Sequence, residues 1–194
     1  MGFIVFEGID GSGKTTQIKL LADYLLNCNV PHIVTKEPTD GSIGTLARNV
    51  VRGAETLSVE ALALLFAADR AEHISREIQP ALQNGLNVLC DRYVYSNITY
   101  QDCEPINFHH LLKPNLTIFI DTDPEECHRR IISTRHTLEI YDSIETGKKL
   151  RAKYMEAFDR YKDGMPVIVV DGNLSEQNVF DTIKGLCHDF LKFP

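Results

Sequence analysis

The first residues of the chain suited to chemistry form a glycine-rich segment around one lysine. Residues 8–15 follow the pattern of a glycine, any four residues and then Gly-Lys-Thr. Glycines lack a Cβ atom, so backbone N–H groups can close around phosphate oxygens, and the positive end of a following helix faces the same group. The predicted phosphate-binding residues are Gly8, Ile9, Asp10, Gly11, Ser12, Gly13, Lys14, Thr15 and Thr16. The segment predicts binding of a nucleoside triphosphate.

Four side chains of this and a later segment have individual chemical roles. Lys14 has the length to reach the outer phosphates, and the Thr15 hydroxyl is a ligand for Mg²⁺. Asp91 follows an apolar run and is placed like a Walker B carboxylate, which binds Mg²⁺ directly or through water. Arg92 beside it offers a planar fork that suits a phosphate. Alone, an Asp-Arg pair at a strand end is as often simply solvated, but the phosphate loop in the same chain favours the functional interpretation.

The elements that must position these residues alternate between strands and helices. The predicted strands are residues 3–6, 32–36, 86–90, 116–120 and 167–170, and the predicted helices begin near residues 15, 43, 58, 93, 124, 143 and 175. Each strand is a continuous apolar run, which is typical of a parallel sheet covered on both faces. We therefore predict an α/β protein with the three-layer fold of phosphate-loop NTPases, a five-stranded parallel sheet and a single domain over residues 1–194.

Two features of the predicted helices and loops bear on the site. A helix is predicted from Ser58 to about residue 78, with Pro80 and Gly85 marking its exit. One face of it carries Phe66, Asp69, Arg70 and His73 at helical spacing. Residues 133–142 show no helical or strand-like periodicity of apolar residues and are predicted to form a short lid. Because ligands bind beyond the carboxyl ends of parallel strands, residues 7–15, 37–38, 91–92, 121 and 171 are expected to converge on one cleft.

Composition limits the classes of partner. The formal net charge of −7 argues against broad binding to nucleic acid, which requires a basic face. No apolar run approaches the ~18 residues of a membrane span, and no signal peptide is visible at the N-terminus. The five cysteines contain no C-x-x-C pair, which favours reduced thiols. We predict a cytoplasmic protein with neither nucleic-acid nor membrane partners.

Five segments together resemble the thymidylate kinase family. They are residues 6–16, 37–38, 65–73, 91–101 and 116–121, and they span most of the chain in family order. The phosphate loop is shared by many ATPases and GTPases, whereas Phe-Ala-Ala-Asp-Arg and Asp-Arg-Tyr…Ser-Asn…Tyr-Gln are much narrower signals. The resemblance implies phosphorylation of dTMP by ATP with Mg²⁺, a step towards dTTP, in a homodimer.

The resemblance also implies individual roles in a dTMP site. Phe66 would stack on the thymine ring, and Arg70 would bind its edge. Arg92 would hold the 5′-phosphate, and Tyr100 would pack under the sugar. The whole implied site is Asp10, Glu37, Pro38, Phe66, Arg70, Arg92, Asn97, Tyr100, Gln101 and Tyr141, with Thr15 and Asp91 as metal ligands. The implied catalytic residues are Lys14, Asp10, Arg92 and, from the lid, Arg135.

The lid departs from the family pattern. Family members place a catalytic arginine either in the phosphate loop or in the lid, and this loop carries Gly11 and Ser12 at its centre. The lid must then supply the arginine, from Arg130 or Arg135. We favour Arg135, because it lies in the irregular stretch, whereas Arg129 and Arg130 also fit a solvated helix face. Ile140 replaces an arginine expected before Tyr141.

Three alternative functions remain open from the sequence. A kinase of thymidine would need a carboxylate base after the first strand, and Glu7 fits that role loosely. A nucleotide-dependent switch would leave Phe66, Arg70 and Tyr100 unexplained, and the guanine-reading Asn-Lys-x-Asp motif is missing. The third alternative is a family member whose altered lid has reduced it to a binding protein.

Overall fold

A computed structural model describes residues 1–104, 111–134, 139–161, 163–191 and 193. Its single sheet has the order β2-β3-β1-β4-β5, and every neighbouring pair is parallel. The strands are β1 (Phe3–Glu7), β2 (His32–Lys36), β3 (Asn87–Asp91), β4 (Leu116–Asp121) and β5 (Val167–Asp171). All five predicted strands are confirmed, with ends that differ by at most one residue.

Helices connect the strands and cover both faces of the sheet. They are α1 (Lys14–Asn27), α2 (Ser42–Val51), α3 (Val59–His73), α4 (Gln79–Gln83), α5 (Val94–Gln101), α6 (Pro124–Thr134), α7 (Ile144–Tyr161) and α8 (Glu176–Leu191). Alternate side chains of β1 enter two separate cores. Ile4 and Phe6 pack with α1 and α8, whereas Phe3 and Val5 pack with α4, α5 and α7. The three-layer α/β fold predicted from the sequence is confirmed.

The helical segment that begins with α3 is longer than predicted. It continues through a π-helical turn, Ile74–Ile78, into α4 and ends at Gln83, beyond the predicted residue 78 and shortly before Gly85, which was expected to mark the exit. Proline lacks an N–H group and crowds the preceding turn, and here it falls in the first turn of a new α-helical register. The predicted cap is confirmed, because the Ser58 hydroxyl accepts a hydrogen bond from the Ala61 N–H at 3.2 Å.

The predicted lid begins later than the sequence indicated. Ser133 and Thr134 belong to α6, and both hydroxyls donate to the carbonyl of Arg130, at 2.8 and 2.9 Å. Side-chain bonds of this kind complete the last turn of a helix, which a search for apolar periodicity does not detect. Residues 135–138, including Arg135, lie outside the described residues.

Candidate active site

The phosphate loop connects the centre of the sheet to α1. β1 lies between β3 and β4, at the point where the strand order reverses, which is where ligands bind in such sheets. Gly13 has φ 101° and directly precedes α1. Gly11 has φ +78°, and a Cβ atom on it would lie 2.4 Å from the Cys127 carbonyl oxygen. The packing of α6 therefore excludes a side chain at position 11.

Lys14 is turned into this loop. Its Nζ atom donates hydrogen bonds to the carbonyl oxygens of Gly8 and Ile9, both at 3.0 Å. Burial, and after it the charge of Arg92, lower the pKa of Lys14 to about 8. A buried ammonium whose charge is disfavoured gains from an anion placed beside it. The loop therefore offers a strong site for phosphate oxygens.

Thr15 and Asp91 lie together as the sequence predicted. The Thr15 hydroxyl donates to Oδ2 of Asp91 at 2.7 Å. The other carboxylate oxygen, Oδ1, is buried and has no hydrogen-bond partner in the described part of the chain. Mg²⁺ is commonly bound by one or two protein oxygens together with substrate phosphates, so this pair fits the ion. No group of three or more His, Cys, Asp or Glu side chains suited to a metal occurs among the described residues.

The loop opens into a first cleft of about 720 Å³. Its walls include α6 and the turn after β5, where Gly172 and Leu174 line it. Arg130 lies above the loop, with Nη1 at 3.4 Å from the Gly11 carbonyl oxygen and Nε at 2.7 Å from Glu126. The wall beyond β5 was missed in the sequence analysis, although a Gly-Asn turn at a strand end was a usable signal.

The ten residues predicted for dTMP line a second cleft of about 240 Å³. Asp10 and Arg92 line both clefts, so the two cavities meet at these side chains. Arg48, Val51 and Arg52 also line the second cleft and were missed in the sequence analysis. They are spaced to share one face of α2, which was the available signal.

Arg92 is fixed where the clefts meet. Its guanidinium donates to Asp10 at 2.7 Å, to the Ser96 hydroxyl at 3.0 Å and to the Tyr100 hydroxyl at 3.2 Å. Burial works against its charge, but Tyr100 and Asp10 outweigh that effect and raise the pKa of Arg92 well above its usual value. Its φ of 71° is in the left-handed region, a conformation that costs about 1–3 kcal/mol and persists where other contacts enforce it.

Glu7 supports the hydrogen bonds around Arg92 from the interior of the fold. Its carboxylate accepts hydrogen bonds from the Tyr93 N–H at 2.9 Å, from the Ser96 hydroxyl at 2.6 Å and from the Tyr154 hydroxyl at 2.9 Å. Burial raises the pKa of Glu7. Both carboxylate oxygens are engaged beneath the cleft, so Glu7 supports Ser96 and Arg92, and the geometry disfavours the role of base considered for a thymidine kinase. Ser96 and Tyr154 were missed as supporting residues.

The far end of the second cleft is lined by hydrogen-bonding groups. Arg70 donates from Nε to Glu37 at 3.0 Å and from Nη1 to Asn97 at 3.3 Å. Asn97 in turn donates to Gln101 at 3.0 Å, and the Nε2 atom of Gln101 has no hydrogen-bond partner in the described ranges. Phe66 lines the same cavity. An aromatic ring beside several donors is suited to a flat heterocycle with carbonyl groups.

Two residues predicted to converge on the cleft do not reach it. Asp121 accepts hydrogen bonds from Arg151 at 2.5 and 2.7 Å. Asp171 accepts from Asn173 in the turn after β5. Neither lines the two clefts, so this part of the prediction is wrong. Position at a strand end brings a residue to the correct edge of the sheet, but local partners decide where its side chain points.

Fold and site define a class of protein. A phosphate loop at the switch point of a parallel sheet opens towards a smaller cleft, and the two share a half-buried arginine. This is the arrangement of a phosphate-loop kinase acting on a nucleotide-sized acceptor. A family model described as thymidylate kinase matches residues 6–183. The chain belongs to the thymidylate kinase family.

Relatives support the same assignment over nearly the whole chain. A probable thymidylate kinase of Pyrococcus horikoshii is 42% identical over 203 residues, which cover 97% of each chain. One from Pyrococcus abyssi is 38% identical over 202 residues, also covering 97% of each. One from Methanococcus aeolicus is 42% identical over 195 residues and covers 95% of each.

Proposed function

We propose that this protein transfers the γ-phosphoryl group of ATP to dTMP and so forms dTDP. The observation that carries the proposal is the meeting of the two clefts at Asp10 and Arg92. One cleft contains a phosphate loop, and the other contains all ten side chains predicted for dTMP. An acceptor phosphate held by Arg92 would lie next to the outer phosphates of a nucleotide on the loop.

The triphosphate would lie along residues 8–16, with Lys14 turned from the loop carbonyls towards the outer phosphates. Thr15 and Asp91 would hold Mg²⁺, which neutralises charge on those phosphates when it is bound. Leu174 and Gly172 would border the adenine, because they line the first cleft beyond the carboxyl end of β5. These roles agree with the Oδ1 atom of Asp91, which has no hydrogen-bond partner among the described residues, and with the lowered pKa of Lys14.

The thymidylate would fill the second cleft. Phe66 would stack on the thymine, while Arg70, Asn97 and Gln101 would face its polar edge. Tyr100 would lie under the sugar, and its ring packs edge-to-face against Tyr141 with the centroids 4.9 Å apart. The same ring lies 5.1 Å from the Arg92 guanidinium carbon, so the wall of the sugar pocket also supports the phosphate-binding group.

Catalysis would depend on position and on charge neutralisation. The acceptor is already an anion, so no general base is required, and alignment of the two substrates can contribute about 7–11 kcal/mol of barrier reduction. Arg135 stays our proposed lid arginine, and Arg130, whose guanidinium already lies above the loop, is the second candidate. Lid closure would exclude water and suppress idle ATP hydrolysis.

A homodimer is the assembly that the exposed surface of α3 favours. Ala61, Leu64, Ala68 and Ala71 are spaced to share one face of this helix, and Leu64 is 58% exposed. A stripe of small and apolar residues permits close packing of two helices. Single-domain organisation and a cytoplasmic location stay predictions. In the described part of the chain, no helix combines the length and the apolar character needed to cross a bilayer.

The direct test is ADP release from ATP and Mg²⁺ in parallel reactions with dTMP, dUMP, dCMP, dGMP, thymidine or no acceptor. We expect turnover with dTMP and slower turnover with dUMP. Turnover with thymidine but not dTMP would contradict the proposal and support a nucleoside kinase. Equal slow hydrolysis in every reaction would instead support a switch or a binding protein.

A further inference from the structure

A buried histidine of α3 lies directly behind the thymine end of the second cleft. The side chain of His73 has 0% exposure, and its two ring nitrogens both have partners. Nδ1 lies 3.1 Å from Oε1 of Glu37, and Nε2 lies 2.7 Å from the Thr35 hydroxyl. Because a carboxylate only accepts hydrogen bonds, Nδ1 donates to Glu37, while Nε2 shares a hydrogen bond with the Thr35 hydroxyl.

Glu37 connects this histidine to the cleft. Its other oxygen, Oε2, accepts from Nε of Arg70 at 3.0 Å, and both side chains are 4% exposed. The carboxylate is thus held between two donors and cannot rotate without losing one. Bonding at Nε fixes the plane of the guanidinium and leaves Nη1 to donate to Asn97, which lines the same cavity. If His73 released Glu37, the carboxylate would be free to rotate and bind the Nη atoms of Arg70.

We propose that His73 is a positioning residue for recognition of the pyrimidine ring and acts through Glu37 on Arg70. The inference rests on the proposed function, because it assumes that a thymine ring occupies the second cleft. It assigns the histidine a role in substrate affinity, whereas a buried histidine that only fills space would affect stability alone. No contact between His73 and substrate is required.

The experiment compares variants that keep one ring nitrogen at a time. The amide nitrogen of His73→Asn can replace Nδ1, and that of His73→Gln can replace Nε2. Glu77→Gln is the matched control, since Glu77 approaches the same ring at 3.5 Å from the solvent side. The readouts are kcat, KM for dTMP, KM for ATP and the dissociation constant of dTMP from calorimetry.

We expect His73→Gln to raise KM and the dissociation constant for dTMP about tenfold, the usual effect of losing a hydrogen bond to a charged group. KM for ATP should stay within about twofold. His73→Asn should recover most of the dTMP affinity, and Glu77→Gln should match the wild type. Equal loss in the Asn and Gln variants, or lower thermal stability with unchanged dTMP affinity, would overturn the proposal.

A double variant identifies the route. If His73 acts through Arg70, then adding His73→Gln to Arg70→Ala should not weaken dTMP binding further, because the group it positions is gone. Additive losses would overturn the proposed route. Wild-type protein that binds dTMP without phosphorylating it would contradict the proposed function alone, whereas wild-type protein that does not bind dTMP would overturn both.

Discussion

At the scale of the residue, the site depends on charged side chains that buried partners hold in place. Arg92 contacts Asp10, Ser96 and Tyr100, and the last two are themselves supported from within the fold. A planar fork with several donors can satisfy these contacts together, whereas a lysine ammonium cannot reproduce their geometry. The identity of this residue therefore matters beyond its charge.

Arg92→Lys should lower kcat/KM for dTMP about 10²–10³-fold, a magnitude typical of losing one preorganised donor that stabilises transition-state charge. Steady-state kinetics with dTMP varied at saturating ATP measures the effect. Arg160→Lys is the control, because Arg160 is exposed and pairs with Glu104 away from the clefts. Loss of less than about threefold in Arg92→Lys would contradict the role in phosphate binding.

Glu7 predicts a pH dependence of stability. Burial raises its pKa above the ordinary value of 4.5, so the folded protein binds this proton at a higher pH than the unfolded chain does. The stabilising contribution is therefore fully present below pH 4.5 and is lost as the pH rises through the folded-state pKa. Glu7→Gln cannot titrate, so the wild type should gain stability relative to it as the pH falls from neutral. Urea unfolding of both proteins over this range checks the sign, and a constant difference would contradict it.

At the scale of the element, the phosphate loop and α6 are built as one unit. Gly11 packs against the backbone of α6 at Cys127, and Arg130 of the same helix reaches back to the Gly11 carbonyl oxygen. The Thr122 hydroxyl, in the turn that leads from β4 into α6, donates to the Ser12 carbonyl oxygen at 3.0 Å. A movement of α6, the helix that leads to the lid, would therefore also displace the phosphate loop.

Gly11→Ala should lower the free energy of unfolding by about 1–3 kcal/mol, because the added Cβ atom meets a carbonyl oxygen and a positive φ. ATP affinity should fall as well. Gly185→Ala is the matched control, since a Cβ there meets no atom within 4 Å, and it should stabilise α8 by about 0.5–1 kcal/mol. Denaturant unfolding measures the free energy of unfolding of each variant, and ATP titration measures its affinity for ATP. Equal effects in the two variants would refute the packing argument.

At the scale of the whole molecule, the proposed association of two chains and the proposed binding of dTMP both involve surfaces on α3. The helix presents Leu64 outward and Arg70 inward, so it connects the proposed dimer surface to the thymine end of the second cleft. Ligand binding to the folded state alone stabilises it by mass action. These properties give two measurements on the intact protein.

Leu64→Glu should convert a dimer into a monomer, because a carboxylate in a close helix–helix contact is buried without a partner. Sedimentation or light scattering gives the mass. Leu26→Glu, which changes an exposed leucine of α1 outside the stripe, should leave the mass unchanged. A wild-type protein that is monomeric at micromolar concentration would rule out the α3 dimer.

Thermal unfolding should distinguish ATP, whose binding is expected to depend on Mg²⁺, from dTMP, whose binding is not. At a hundredfold excess over its dissociation constant, a ligand adds about 2.7 kcal/mol, which raises Tm by about 5–10 °C in a chain of this size. Chelation of Mg²⁺ should remove most of the shift produced by ATP and leave most of the shift produced by dTMP. Equal losses would contradict the separation of the Thr15–Asp91 pair from the dTMP cleft.

The sequence was sufficient for features that depend on neighbouring residues. The phosphate loop, the Asp91–Arg92 pair and the shared face of Phe66 and Arg70 follow from short spacings, and so do all five strands. The strand order was not readable, yet the general rule that parallel strands bind ligands at their carboxyl ends identified the correct edge. Helix ends that depend on side-chain caps or on a change of helical register, as at Thr134 and Pro80, were not predictable from periodicity.

By itself, the sequence determined the fold class and the residue types at the two clefts, because apolar periodicity and glycine spacing act over a few residues. Tertiary structure alone decided which partners hold those residues. Tyr154 reaches Glu7 across 147 positions, and His73 reaches Glu37 across 36. Such contacts depend on how helices pack on the sheet. Burial then removes water as a competing partner, which gives each of these hydrogen bonds its influence on the site.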